Sequence, residues 1–408
     1  MGLLGIAAAS TISYQLGPSD RGEIGVLLVV VSFAITAGAL GVGESFVVLL
    51  ARAAMVRRSQ VVRLSLLASV LAGALGFLGG LWFARITQAP DALVCAVFCA
   101  SAASTTNFWR IPSQSFLAQH RLVAWNVSRI GGNVTWLAAV LIGIRLIGSQ
   151  PGENPLLYIG VAYAAGNTLL GLALLTARQR DGTVATDLSK DRVVVKSGLP
   201  MAGASLLALL TVSMDRIYAS LVLTPSELGQ YVAAFAYGTI VTLLIQSAGG
   251  YAFTTLSAKH LEDQPSALSR LLVIANSAGL YAAFVASIGA YPAVLLLNGF
   301  QFQEAARISW ILVVSGAVSG VMTIVSQGMK ATGHSMLAVL LEVLRILMLI
   351  ATLITFNATT PASIATATAF SALVTLLLSF ILVARASGVP IATTVRILGP
   401  VSLMRRTR

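Results

Sequence analysis

Charge is what this sequence has least of. Only 10% of its 408 residues are Asp, Glu, Lys or Arg, where soluble domains carry about 25%. With 57% hydrophobic residues and a mean hydropathy of +0.88, there are too few polar groups to cover a water-facing surface, so lipid must be the solvent. Acids number 14 against 26 bases, and histidines only three, which leaves little to build a metal centre from. The two cysteines, Cys95 and Cys99, share a helix face with no His or carboxylate beside them. They read as small packing residues rather than ligands or a disulfide framework. The net charge of +12 does not point to nucleic acid, because no basic patch is interleaved with aromatics and the bases fall in alternate loops. The first 16 residues lack a basic n-region and do not read as a cleaved signal peptide.

What is present is a succession of long apolar runs, each near the 20 or so residues a spanning helix needs. They cover 2–16, 23–50, 62–85, 91–111, 122–147 and 155–177, then 198–222, 230–256, 270–298, 305–329, 336–357 and 362–385. This predicts an all-α polytopic protein of about twelve transmembrane helices in two six-helix lobes. The lobes are 1–177, with a first helix about ten residues short, and 198–387. Between them lies a charged cytoplasmic linker, 178–197, and a basic cytoplasmic tail follows, 388–408. One set of alternate loops, with the tail, holds 19 bases. The opposite set holds four, Arg21, Arg85, Arg145 and Arg307, and three more lie within spans. The positive-inside rule then places both termini in the cytoplasm.

Two stretches echo each other 207 residues apart: Leu16-Gly17-Pro18-Ser19-Asp20-Arg21-Gly22-Glu23 and Leu223-Thr224-Pro225-Ser226-Glu227-Leu228-Gly229-Gln230. Each opens the turn between the first and second spans of its half. A looser echo joins Gln119-His120-Arg121 and Arg129-Ile130 to Gly333-His334-Ser335 and Arg345-Ile346. Six spans return the chain to its starting side, so the repeat is parallel, a pattern typical of transporters.

Three stretches resemble a known family. Leu16-Gly17-Pro18 with Arg21-Gly22-Glu23 is similar to the turn after its first helix, although Glu23 stands where that turn favours an aromatic. Lys196-Ser197-Gly198-Leu199-Pro200, then Asp215-Arg216, then Leu228-Gly229-Gln230-Tyr231-Val232-Ala233 is similar to its passage from the seventh helix into the eighth. Ala331-Thr332-Gly333-His334 is similar to a later turn. The family is the multidrug, oligosaccharidyl-lipid and polysaccharide exporter superfamily, in its polysaccharide-repeat (O-antigen-type) flippase branch. The resemblance implies two lobes around a central cavity, as in multidrug exporters of the superfamily. It implies transfer of a polyprenyl-pyrophosphate-linked saccharide from the inner to the outer leaflet by alternating access. The setting would be the bacterial inner membrane, with polysaccharide polymerase and glycosyltransferases as partners.

Charged side chains inside spans are costly, so each is a candidate. Arg129 and Arg345 occupy similar places in the two halves and suit a diphosphate, because guanidinium is a permanently charged fork. The alternatives are snorkelling for both and, for Arg345, pairing with Glu342 one turn before it. Asp215, Glu44 and Glu342 are candidates for coupling to H+ or Na+, and each could equally be a structural charge. Arg216, about 100° around the helix from Asp215, is expected to reach the interface or an acid on another helix rather than Asp215. No cofactor is expected. Alternatives to the flippase are a cation-coupled exporter of drugs or organic cations, a non-transporting membrane scaffold, and a membrane enzyme, which would need a larger external loop than any here.

Overall fold

A computed structural model describes residues 2–43, 45–46, 58–87, 91–118, 121–147, 154–176, 191–257, 264–331 and 334–387. Among them, all regular structure is helical. The first helical stretch, Gly2–Gly38, breaks at Gly17, whose φ of 87° and ψ of −177° lie outside the helix region. Glycine reaches that conformation without steric cost, and Pro18 cannot donate back across the break. The stretch is therefore two helices, α1 (2–16) and α2 (18–38). There follow α3 (Arg58–Thr87), α4 (Ala92–Ala118), α5 (Leu122–Ile147), α6 (Pro155–Thr176) and α7 (Asp191–Val222). The remainder are α8 (Pro225–Ser257), α9 (Gln264–Asn298), α10 (Gln303–Ala331), α11 (Ser335–Thr355) and α12 (Pro361–Ser387).

Eleven of the helical stretches, with α1 and α2 taken together, are long and apolar enough to cross a bilayer. Their outer faces carry large apolar side chains: Leu66, Leu67, Val70 and Leu78 on α3 and Leu296 on α9 are exposed. Water would not tolerate such faces; lipid does. This is a multi-pass membrane protein.

The chain divides into two compact units. Unit 1 holds residues 1–15 and 23–213, and unit 2 holds 16–22 and 214–408. The boundary thus lies inside α7 rather than in the segment 178–197. Physically, the first half of α7 is tied to unit 1: Arg63 Nη2 hydrogen-bonds Asp191 Oδ1 at 3.3 Å, and the Gly198 backbone packs on Leu40 and Gly41. Residues 191–197 are the opening turns of this helix, so the linker is shorter than its charge suggests; 178–190 and the tail 388–408 lie outside the described residues.

In unit 1, α4 is the hub, packing on α3, α5 and α6. Its Asn107 donates to the Ile35 carbonyl of α2 at 3.0 Å, and buried Cys99 lies against the Leu27 carbonyl at 3.8 Å. Both cysteines are free and buried. In unit 2 the hub is α10, packing on α8, α9, α11 and α12. Its backbone meets α8 where Gly238 and Gly316 touch. The fourth helix of each set of six is central to its own unit, as a duplicated architecture requires.

Candidate functional site

Charge gathers inside unit 2. The Asp215 carboxylate on α7 is 2% exposed. Its Oδ2 accepts from the Tyr231 hydroxyl of α8 at 2.7 Å, and its Oδ1 accepts from the Arg216 amide at 2.8 Å. Tyr231 is fully buried, so this bond is shielded from water, and shielding strengthens it. Arg216 does reach Asp215: its Nε lies 4.0 Å from Oδ1. The expectation that neighbours on a helix would not pair is corrected here, because the short aspartate folds over the following amide and brings its oxygen within range. The Arg216 guanidinium also sits over the Phe235 ring, 4.3 Å from its centroid, and Phe235 stacks on Tyr231 at 6.5 Å. Asp215, Arg216, Tyr231 and Phe235 thus form one assembly across α7 and α8.

Arg345 enters from α11. Its Nη2 donates to Ser319 Oγ on α10 at 2.5 Å, and it interacts electrostatically with Asp215. Among the described residues no ion pair within 4.0 Å joins it to Glu342. Glu342 is half-buried on the preceding turn and contributes field rather than a bridge. A third guanidinium completes the group. Arg21, 6% exposed, belongs to the 16–22 segment of unit 2 and interacts electrostatically with Arg216 and Tyr237. Its Nε has no hydrogen-bond partner.

Three guanidiniums therefore share this unit with the fully buried Asp215 carboxylate and the half-buried Glu342 carboxylate, and half-buried Asp20 precedes Arg21. Arg216 and Arg345 keep partial exposure.

Arg129 stands apart, in unit 1. It is exposed and lies over the Trp125 ring one turn earlier, 4.5 Å from its centroid. The similar sequence positions of Arg129 and Arg345 do not give similar surroundings. Glu44 lies outside the described residues. No group of His, Cys, Asp or Glu among the described residues is arranged to hold a metal ion. Three members of the cluster escaped the sequence reading, Arg21, Tyr231 and Phe235. Arg21 reads as a loop base; the available signal was its membership of the charge-poor loop set. Tyr231 stood in a family-like stretch, but nothing linear tied it to Asp215, 16 residues earlier.

An all-helical, multi-pass bundle with charge collected in its interior has the form of a membrane transporter. The chain belongs to the polysaccharide biosynthesis protein family, whose profile matches residues 10–258. Its fold is that of the exporter superfamily named above. An inward-facing multidrug-resistance MATE transporter of that superfamily is similar at a TM-score of 0.76 and 15% identity, over 95% of this chain and 94% of the other. The lipid II flippase MurJ, in an inward closed conformation, is similar at 0.71 and 13% identity, over 96% and 87%. A superfamily transporter from Pyrococcus furiosus, noted for the reverse polarity of its binding pocket, gives 0.67 and 18%, over 96% and 92%. Comparison with curated proteins yields no significant match. Family and neighbours are transporters and flippases, not enzymes.

Proposed function

We propose that this protein flips a polyprenyl-pyrophosphate-linked oligosaccharide or polysaccharide repeat unit from the inner to the outer leaflet, by alternating access, for surface polysaccharide synthesis. The observation that carries this reading is the pair of guanidiniums, Arg216 and Arg345, that act on the fully buried Asp215 carboxylate, with a third, Arg21, interacting with Arg216 in unit 2. A pyrophosphate needs fixed positive charge and forked donors, which guanidinium supplies. A site for organic cations would need the opposite balance. The family's link to polysaccharide biosynthesis and the likeness to a lipid II flippase support the same substrate class.

In this reading Arg345 and Arg216 hold the diphosphate while the polyprenyl tail stays in lipid. Asp215 competes for the same guanidiniums and exchanges H+ or Na+, so that ion binding and phosphate release are linked. Arg129 meets the substrate, if at all, at the surface of unit 1. The setting is the bacterial inner membrane with both termini cytoplasmic, and the partners are glycosyltransferases and a polymerase on either side of the transfer.

The test is transfer of a fluorescent polyprenyl-pyrophosphate saccharide across reconstituted vesicles, comparing wild type with Arg345→Ala. Loss of transfer in the variant with normal reconstitution supports the proposal. Equal transfer sinks the assignment of the site. Absence of transfer by the wild type, with export of an organic cation instead, favours the drug-exporter reading, and absence of both favours a scaffold.

A further inference from the structure

Unit 1 has an open groove of about 570 Å³ between the first turns of α3 and α7, away from the charges described above. Its walls include Arg63 and Leu67 on α3 and Asp191, Arg192, Lys196 and Leu199 on α7. The spacing is helical. Arg63 and Leu67 are one turn apart, as are Arg192 and Lys196, and Leu199 follows on the same face. Along both helices the groove begins charged and becomes apolar. Leu67 is 46% and Leu199 58% exposed, and Leu66 and Val70 continue the apolar surface of α3.

Among the described residues, charge in the groove is not self-compensated. Arg63 Nη2 lies 3.3 Å from each oxygen of Asp191, and this is the ion pair of the groove among the described residues. Arg192 and Lys196, both exposed, then face the cavity as surplus cations. Bases that merely snorkelled would be spread along the interface; here they rim one concavity with a leucine wall.

We propose that this groove binds the phosphate of an anionic membrane phospholipid. Arg192 and Lys196 take the headgroup, and Leu67 and Leu199 take the upper part of the acyl chains. Phosphate matches the surplus charge, and the leucine wall matches a tail already in the bilayer. The three bases belong to the loop set expected in the cytoplasm, where anionic lipid concentrates. A lipid seated there would bridge α3 and α7 at the point where Arg63 and Asp191 already join them.

The experiment uses the purified full-length chain in neutral detergent. Thermal unfolding is followed while phosphatidylglycerol or phosphatidylcholine is added, for wild type and for the double variant Arg192→Gln/Lys196→Gln. Phosphatidylglycerol is expected to raise the wild-type midpoint and phosphatidylcholine to leave it unchanged. The double variant should need on the order of tenfold more phosphatidylglycerol for the same rise. An Arg192→Lys/Lys196→Arg exchange, which keeps the charge, should behave as wild type and guards against misfolding of the neutral variant. Equal responses of wild type and neutral variant overturn the site. An equal rise with inorganic phosphate overturns the lipid assignment, since a free anion would then suffice.

Discussion

Each oxygen of the Asp215 carboxylate has a donor, the Tyr231 hydroxyl on one and the Arg216 backbone amide on the other, and of the two only the hydroxyl can be removed by substitution. Tyr231→Phe removes the donor from a buried charged acceptor, at a cost of about 1–3 kcal/mol. A lowered unfolding midpoint in detergent is expected, with the fold retained. Asp215→Asn keeps the shape and one acceptor oxygen but removes the negative charge facing Arg216 and Arg345. Transfer should then lose its dependence on external H+ or Na+, measured as rate against ion gradient in vesicles. A variant that keeps that dependence would remove Asp215 from coupling. Arg345 and Arg129 should separate clearly. Arg345 is half-buried and fixed on Ser319, so Arg345→Ala forfeits a positioned charge-assisted bond to the diphosphate worth about 1.5–3 kcal/mol, or roughly ten- to a hundredfold in transfer. Arg129 is exposed on its own Trp125, and Arg129→Ala should leave surface polysaccharide within about twofold, in the range of surface substitutions.

At the scale of elements, the two echoing turns turn out to pack on each other inside unit 2. A Cβ on Gly22 would stand 2.7 Å from the Pro225 carbonyl oxygen and 2.8 Å from the Gly229 nitrogen, and one on Gly229 would collide with the Pro18 carbonyl. The contact is reciprocal: the glycine of each turn meets the proline of the other. Gly229→Ala is therefore expected to destabilise by about 1–3 kcal/mol through overpacking, seen as a lower unfolding midpoint, while Gly203→Ala, with open space beside it, should not destabilise. Hydropathy located the helices because lipid demands apolar runs. The limits 122–147 coincide with Leu122–Ile147, and 155–177 falls one residue from Pro155–Thr176. It placed starts too late where helices run on into the polar interface, as α7 does from Asp191 and α8 from Pro225. The candidate site was legible only where a charge sat inside an apolar run, as at Asp215, Arg216 and Arg345. Arg21 stayed hidden because its burial comes from the packing of the 16–22 segment, which no periodicity records.

For the whole molecule, duplication is visible as the same hub position in both units, α4 in one and α10 in the other. With each helix after the first crossing in turn, the side of any one loop fixes the side of every other. The distribution of bases then gives the proposed direction, since translocated loops tolerate Lys and Arg poorly. The two ends of α11 give a compact test. His334 precedes it and Thr360 follows it, both exposed, with one spanning helix between them. The native cysteines are buried, so a thiol reagent that cannot cross the membrane will report an introduced cysteine over a quiet background. Thr360→Cys should be labelled from outside intact cells, and His334→Cys only after permeabilisation. The reverse pattern would invert the topology, placing the basic rim of the α3–α7 groove outside and requiring the arginine cluster to receive its substrate from the other leaflet. Labelling of both from outside would mean that α11 does not cross, and the count of six spans in the second half would fall with it.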